Sequence, residues 1–122
     1  MSRGQDSELA AAVRELARAD VVAFGGVGFA GQILPVTEAY RTVAALAGQG
    51  NEVRTQVEWL LATGSAAGKV YAATLLETID SAAARAAWRT LSTDPSELVT
   101  FSGCMQTRTT LAEYALERSA AG

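Results

Sequence analysis

Residues 51–93 read NEVRTQVEWLLATGSAAGKVYAATLLETIDSAAARAAWRTLST, and this stretch decides the fold class. Apolar residues recur in it at intervals of three and four, which predicts three amphipathic helices. Gly64 ends the first helix, where a left-handed backbone favours glycine, and Ser65 caps the second. Asp80 or Ser81 caps the third helix. The predicted inward positions are Val53, Val57, Leu60 and Leu61, then Val70, Ala73, Leu76 and Ile79, then Ala84, Ala87, Trp88 and Leu91.

Two further helices are predicted before this stretch. The first lies within residues 1–20 and opens at Ser7, and the second covers 36–47 with Thr37 as its N-cap candidate. Between them, residues 21–35 are predicted to form a glycine-rich loop. A helix is disfavoured there, because each glycine inside a helix costs about 1 kcal/mol of stability relative to alanine.

The C-terminal part, residues 94–122, combines a short extended segment at 98–101 with a final helix. Thr110 and Glu113 have the spacing of a capping box, which predicts the start of that helix. With residues 36–93 as its helical middle, the whole chain is predicted to be one compact, mainly α domain. It contains five or six helices and at most one short extended segment.

The middle stretch resembles HEAT-type helical repeats in its order of helix, glycine turn, alanine-rich helix, tight Asp corner and helix. In that family, a basic residue and small residues on the second helix allow close stacking, and Lys69 followed by VYAATLL is similar. The resemblance implies antiparallel helix pairs. The glycine-rich segment and the extended piece depart from the pattern, which favours a compact domain over a regular superhelix. Segments 24–31, 67–72 and 102–104 also resemble small uncharacterised bacterial proteins, without implying an activity.

The glycine-rich segment VVAFGGVGFAG at 21–31 admits three interpretations. As a buried loop it plugs one end of the helices, with apolar anchors that include Phe24 and Phe29. If these rings are exposed, the loop is instead an apolar surface for a partner. The third interpretation is a dinucleotide-binding fingerprint at 26–31, although Pro35 interrupts the helix that this motif requires. The glycines of this site are Gly25, Gly26, Gly28 and Gly31.

Composition limits the classes of function. The net charge is -3 with 49% hydrophobic residues, and the basic residues are scattered, so we expect no nucleic-acid partner. The longest stretch without charge, 21–37, is broken by glycines and Pro35, so we expect no membrane span. A single cysteine, Cys104, and a polar start without a signal peptide predict a cytoplasmic protein.

The absence of histidine argues most strongly against catalysis, because the usual general base and the commonest metal ligand are missing. One cysteine without histidine provides no familiar zinc site, and we expect no metal or other cofactor. Cys104 is predicted to be buried and inert, because no basic residue is adjacent to stabilise a thiolate.

These observations favour a non-enzymatic protein–protein interaction module, such as an adaptor, an assembly factor or an immunity-type partner. Tryptophan and arginine are enriched at binding hot spots, so we predict that Arg85, Trp88 and Arg89 bind the partner. Phe24 and Phe29 complete the set of predicted partner-binding residues. The alternative function is a small-molecule or nucleotide-binding domain that uses residues 25–31 and Cys104. A homo-oligomeric structural protein is a third class.

Overall fold

The computed structural model describes residues 3–26, 33–47, 51–102 and 105–121. These residues form six α-helices and one two-stranded antiparallel sheet, so the mainly helical class is confirmed. None of the described helices is both long and apolar enough to cross a membrane. In chain order the elements are α1 (Arg3–Ala17), α2 (Pro35–Leu46), α3 (Asn51–Thr63), α4 (Ala66–Ile79), α5 (Ser81–Leu91), β1 (Glu97–Ser102), β2 (Met105–Thr110) and α6 (Leu111–Ala121).

Helix α4 is the centre of the fold, because it packs against every other helix and against β1. Its residues are apolar or small on nearly all sides, which is typical of a helix that is covered all round. Eight of them are buried: Ala67, Gly68, Val70, Tyr71, Ala72, Ala73, Leu75 and Leu76.

The predicted caps on either side of α4 are confirmed. The Ser65 hydroxyl accepts a hydrogen bond from the Gly68 N–H and donates one to the carbonyl of Ala19. Asp80 begins α5 by accepting from the N–H groups of Ala82 and Ala83. These two bonds and an ion pair with Arg54 hold the pKa of the Asp80 carboxyl below its ordinary value.

Two predicted helix starts were placed too late. Helix α1 begins at Arg3, so Ser7 lies inside it. Helix α2 begins at Pro35, which suits the first helical position, and its N-cap is Leu34. Thr37 therefore lies inside α2. It is fully buried, and its hydroxyl donates a hydrogen bond to the carbonyl of Ala23 and not to the start of the helix.

The sheet corrects the prediction of at most one extended segment. Strand β2 pairs with β1 along its whole length, from Thr110 opposite Glu97 to Met105 opposite Ser102. Its MQTRTT sequence has no alternation of apolar and polar residues, and most of the strand is exposed. Strand β2 exists because it forms hydrogen bonds with β1, and it buries no apolar face. Hydrophobic periodicity therefore could not predict this strand.

The capping box of α6 is confirmed in its first half. The Thr110 hydroxyl accepts from the Glu113 N–H, as predicted, whereas the Glu113 carboxylate accepts from the hydroxyl of Thr109. The loop before β1 completes the cap, because the carbonyls of Asp94 and Ser96 accept from the first amides of α6.

The first residues of the glycine-rich segment form an extended strip that is enclosed on both sides. Val22 makes a parallel bridge to Thr100 of β1 through bonds to Val99 and Phe101. On the other side, the Tyr71 hydroxyl accepts from the Ala23 N–H at 2.7 Å and donates to the Ala23 carbonyl at 2.9 Å. One phenol thus satisfies both backbone groups of Ala23, as a neighbouring strand would.

Thr37 adds a second donor to the Ala23 carbonyl, at 2.7 Å. Tyr71 and Thr37 are both fully buried, and Ala23 is 1% exposed. Helices α2 and α4 therefore both bind the strip by side-chain hydrogen bonds, while β1 binds it by backbone bonds.

Two glycines of the middle stretch, Gly64 after α3 and Gly68 in the first turn of α4, are required by close approach. A Cβ on Gly64 would lie 2.7 Å from the Leu60 carbonyl oxygen, and Gly64 has no left-handed φ, so that part of the prediction is wrong. A Cβ on Gly68 would lie 2.5 Å from the carbonyl oxygen of Leu16. Gly68 thus allows the end of α1 to rest directly on the first turn of α4.

Gly68→Ala is expected to reduce the free energy of unfolding by about 1–3 kcal/mol, because the added methyl group overlaps a backbone atom that cannot rotate away. The gain of about 1 kcal/mol in helix propensity does not offset this overlap. Urea denaturation measures the difference. Gly25→Ala is the matched control, since a Cβ there meets nothing within 4 Å, and it should stay close to wild type. Equal stability of the two variants would contradict the close approach.

Tyr71→Phe is expected to cost about 1–3 kcal/mol of unfolding free energy, because it leaves the buried Ala23 N–H without a partner. Thr37→Val should cost less, about 0.5–1.5 kcal/mol, since the Ala23 carbonyl still accepts from Tyr71. Denaturant titration of both variants tests this order, and a larger loss for Thr37→Val would refute it.

The effect of Tyr71→Phe on the free energy of unfolding is also expected to depend on pH in the alkaline range. Burial raises the pKa of Tyr71 from 10.0 to about 12. The unfolded chain therefore loses this proton before the folded chain does, so the contribution to stability is complete below pH 10 and is lost progressively towards about pH 12. The stability difference between wild type and Tyr71→Phe should shrink over that interval.

Candidate functional site

A groove of about 630 Å³ lies between α5 and α6, and three of the predicted partner-binding residues line it. The α5 side supplies residues at helical intervals along its entire length, and α4 adds Glu77 to the floor. The α5 residues are Ser81, Ala84, Arg85, Trp88 and Arg89, followed by the C-cap Ser92, and the α6 residues are Leu116, Arg118 and Ser119.

Trp88 forms part of the floor of this groove, with 4% of its surface exposed. Its indole N–H donates to the Glu77 carboxylate at 2.8 Å. Arg118 binds both oxygens of the same carboxylate and lies over the indole ring, 5.3 Å from its centroid. The Tyr114 ring packs on the indole at a centroid distance of 5.9 Å. Trp88 is therefore a rigid, buried part of the site and does not protrude as a contact.

The rim of the groove combines positive charge with one exposed apolar side chain. Arg85 and Arg89 lie one turn apart on α5, both are exposed, and neither forms an ion pair with a described residue. Leu116 on α6 is 56% exposed. The lining has three arginines and one glutamate, which leaves an excess of two positive charges on a chain whose net charge is -3.

Phe24 lies outside this groove. Its ring contacts Tyr40 and Tyr71 edge-on, at centroid distances of 5.0 and 5.2 Å, and 36% of the residue stays exposed. Burial raises the pKa of Tyr40 most, Glu77 raises it further and Arg118 lowers it. Tyr40 lies on α2 and Tyr71 on α4, so Phe24 packs against these two helices and not against the lining of the groove.

The glycine site is described only at its start. A Cβ on Gly25 would have no neighbouring atom within 4 Å, and the residue has no left-handed φ. Neither packing nor backbone geometry therefore requires glycine there. Gly26 is the last residue of this segment that the structure describes. Gly28, Phe29 and Gly31 lie outside the described residues, as does Cys104. The predictions for these four residues stay predictions.

A second groove, of about 790 Å³, lies over α4 between α3 and α5. Its apolar lining is rich in alanine, including Ala62, Ala83 and Ala86. Two of its charged residues, Lys69 and Asp94, lie 4.0 Å apart and balance each other. The third, Glu58, forms an ion pair with Arg54, so this surface lacks the uncompensated positive charge of the first groove.

Sequence reasoning missed the residues that hold Trp88 in place. Glu77, Leu116 and Arg118 line the groove and are not among the predicted site residues. Arg118 is 41 positions from Glu77, so no local spacing could pair them. Tyr114 lies three positions after the buried Leu111 on α6, and it packs against the core and on the ring of Trp88.

Among the described residues, no group of three or more acidic, histidine or cysteine side chains is placed to hold a metal ion. The chain has no significant match to a family model, a curated protein or a solved structure. The site must therefore be interpreted from its own geometry.

Glu77→Leu is expected to cost about 1–3 kcal/mol of unfolding free energy, because the indole N–H of Trp88 loses its acceptor inside the protein. Glu77→Gln keeps an acceptor oxygen and loses only the partly exposed ion pair, which is worth about 0–1 kcal/mol. Urea denaturation in a Trp59→Phe background follows Trp88 alone. If Glu77→Gln were as costly as Glu77→Leu, the ion pair would be the main contribution.

Proposed function

We propose that this chain is a cytoplasmic, non-enzymatic protein-binding module, of the adaptor, assembly-factor or immunity type, and that the α5–α6 groove receives its partner. The observation that carries the proposal is the convergence of Arg85, Arg89 and the exposed Leu116 around the fixed indole of Trp88. Arginine and aromatic residues are enriched at protein interfaces, and interface anchors work best when they are already ordered.

The shape of the groove supports a macromolecular partner. It extends from Ser81 to Ser92, which is about 16 Å at 1.5 Å per residue and equals the whole length of α5. An open trough of this length offers a compact metabolite few enclosing walls, whereas a segment of another protein can lie along it.

The order of packing in the middle stretch fits the same proposal. Helix α3 packs on α4, and α4 packs on α5. The HEAT resemblance covers these three helices, and we propose that they form a short repeat-like scaffold whose last helix, α5, presents the groove.

Leu116→Glu is expected to abolish capture of the partner, because it places a charge against the apolar wall of the groove. The measurement is affinity purification of the full chain from its own host after crosslinking, with stoichiometry determined by quantitative mass spectrometry. Met105→Glu is the matched control, since Met105 is also an exposed apolar residue, at 68%, and lies on β2 away from the groove.

Loss of a stoichiometric partner with Leu116→Glu alone supports the proposal. Equal recovery with both variants would move the binding surface elsewhere. If the wild-type chain itself recovers no partner at physiological abundance, the chain is not a protein-binding module.

A further inference from the structure

The rim charges of the α5–α6 groove define the chemistry of the segment that can occupy it. Arg85 and Arg89 are four residues apart on one helix face, so their Cβ atoms are about 6 Å apart. Carboxylates one turn apart on a second helix have the same separation. A pair of acidic side chains on a helix that lies along α5 can therefore meet both guanidinium groups at once, each in the bidentate geometry that arginine favours.

The inner part of the groove calls for an apolar stripe on the same segment. Ala84 and Trp88 form the floor and are 2% and 4% exposed, and Leu116 rises on the opposite side. The Glu77 carboxylate is paired with the Arg118 guanidinium and accepts the indole N–H, so its charge is compensated where an incoming acid would lie. Among the described residues that line the groove, Glu77 is the only acidic one.

We propose that the partner segment is an amphipathic acidic helix, with two carboxylates one turn apart on Arg85 and Arg89 and apolar side chains between Trp88 and Leu116. This inference rests on the proposed function and specifies the partner class. The ion pairs with Arg85 and Arg89 set the orientation of the partner segment and its rate of association, and the apolar contacts slow its dissociation.

A second copy of the chain is the competing occupant, because α6 carries Glu113 and Glu117 one turn apart and both are exposed. The Glu113 carboxylate already accepts the Thr109 hydroxyl at 2.9 Å. Self-association would compete with that bond, whereas an independent acidic helix would not.

The test uses the full chain with Trp59→Phe, which leaves Trp88 as the only tryptophan. The probe is an alanine-based helical peptide of about 15 residues, long enough to form a helix. It carries two glutamates four residues apart and leucines on the same face. Versions with glutamine or with lysine at the two glutamate positions complete the set, and Trp88 emission reports binding.

The glutamate peptide is expected to bind, more weakly at high salt, and Arg85→Glu with Arg89→Glu should raise its dissociation constant at least about tenfold. The lysine peptide should then prefer this charge-reversed chain over wild type. Arg14→Glu with Arg18→Glu is the matched control, because these exposed arginines have the same spacing on and just after α1 and should leave binding unchanged. If the reversed chain is unstable, Arg85→Gln with Arg89→Gln should give the same direction of change.

Several results would overturn the inference. Equal binding of the glutamate and glutamine peptides, or an equal loss with the α1 control, removes the role of the arginine pair. Displacement of the peptide by inorganic phosphate at similar concentrations indicates a small-anion site. A doubled mass in solution that Arg85→Glu with Arg89→Glu abolishes assigns the groove to a second copy.

The two proposals fail separately. A host partner that persists with the arginine reversal and is lost with Leu116→Glu keeps the protein-binding function and rejects the acidic helix. A peptide that binds as expected, with no host partner recovered, keeps the chemistry of the groove and rejects the function.

Discussion

The fold depends on how one buried strip of backbone is satisfied. Val22 and Ala23 leave α1 as extended chain and enter the interior, where each unpaired N–H or C=O costs free energy comparable to a lost hydrogen bond. β1 pairs with Val22 by backbone bonds, and Tyr71 of α4 pairs with Ala23 by its phenol. The central helix, the sheet and the connection between α1 and α2 are held to one another at this strip.

The same principle governs the candidate site. Trp88 can lie in the floor of the groove because Glu77 accepts its indole N–H, and Glu77 can lie there because Arg118 neutralises it. Three side chains from three helices thus satisfy one another, which fixes the floor and leaves the rim arginines and Leu116 available. The surface thus has two layers, with hydrogen-bonded aromatic and charged groups below and exposed side chains above.

Helix α4 connects the two regions, since it carries both Tyr71 and Glu77. Its small residues set the distance to its neighbours, and Gly68 brings the carbonyl of Leu16 into direct contact. A change in the packing of α4 would therefore reach the strip and the groove together. A closely packed interior cannot absorb the displacement of one helix without moving its neighbours. Such coupling is therefore expected of α4, which contacts all the other helices.

The sequence by itself determined the helical class and the caps at Ser65 and Thr110. It limited the cap of α5 to Asp80 or Ser81 and placed Arg85, Trp88 and Arg89 on one helix, because these features depend on spacing within a few residues. Only the tertiary structure decided the pairing of β2, the burial of Thr37, the need for Gly68 and the binding of Trp88 by Glu77 and Arg118. The physical reason is separation along the chain: Ala23 and Tyr71 are 48 residues apart, and Glu77 and Arg118 are 41 apart. Local periodicity carries no information on such pairs, because they are brought together only by the packing of α4 against its neighbours.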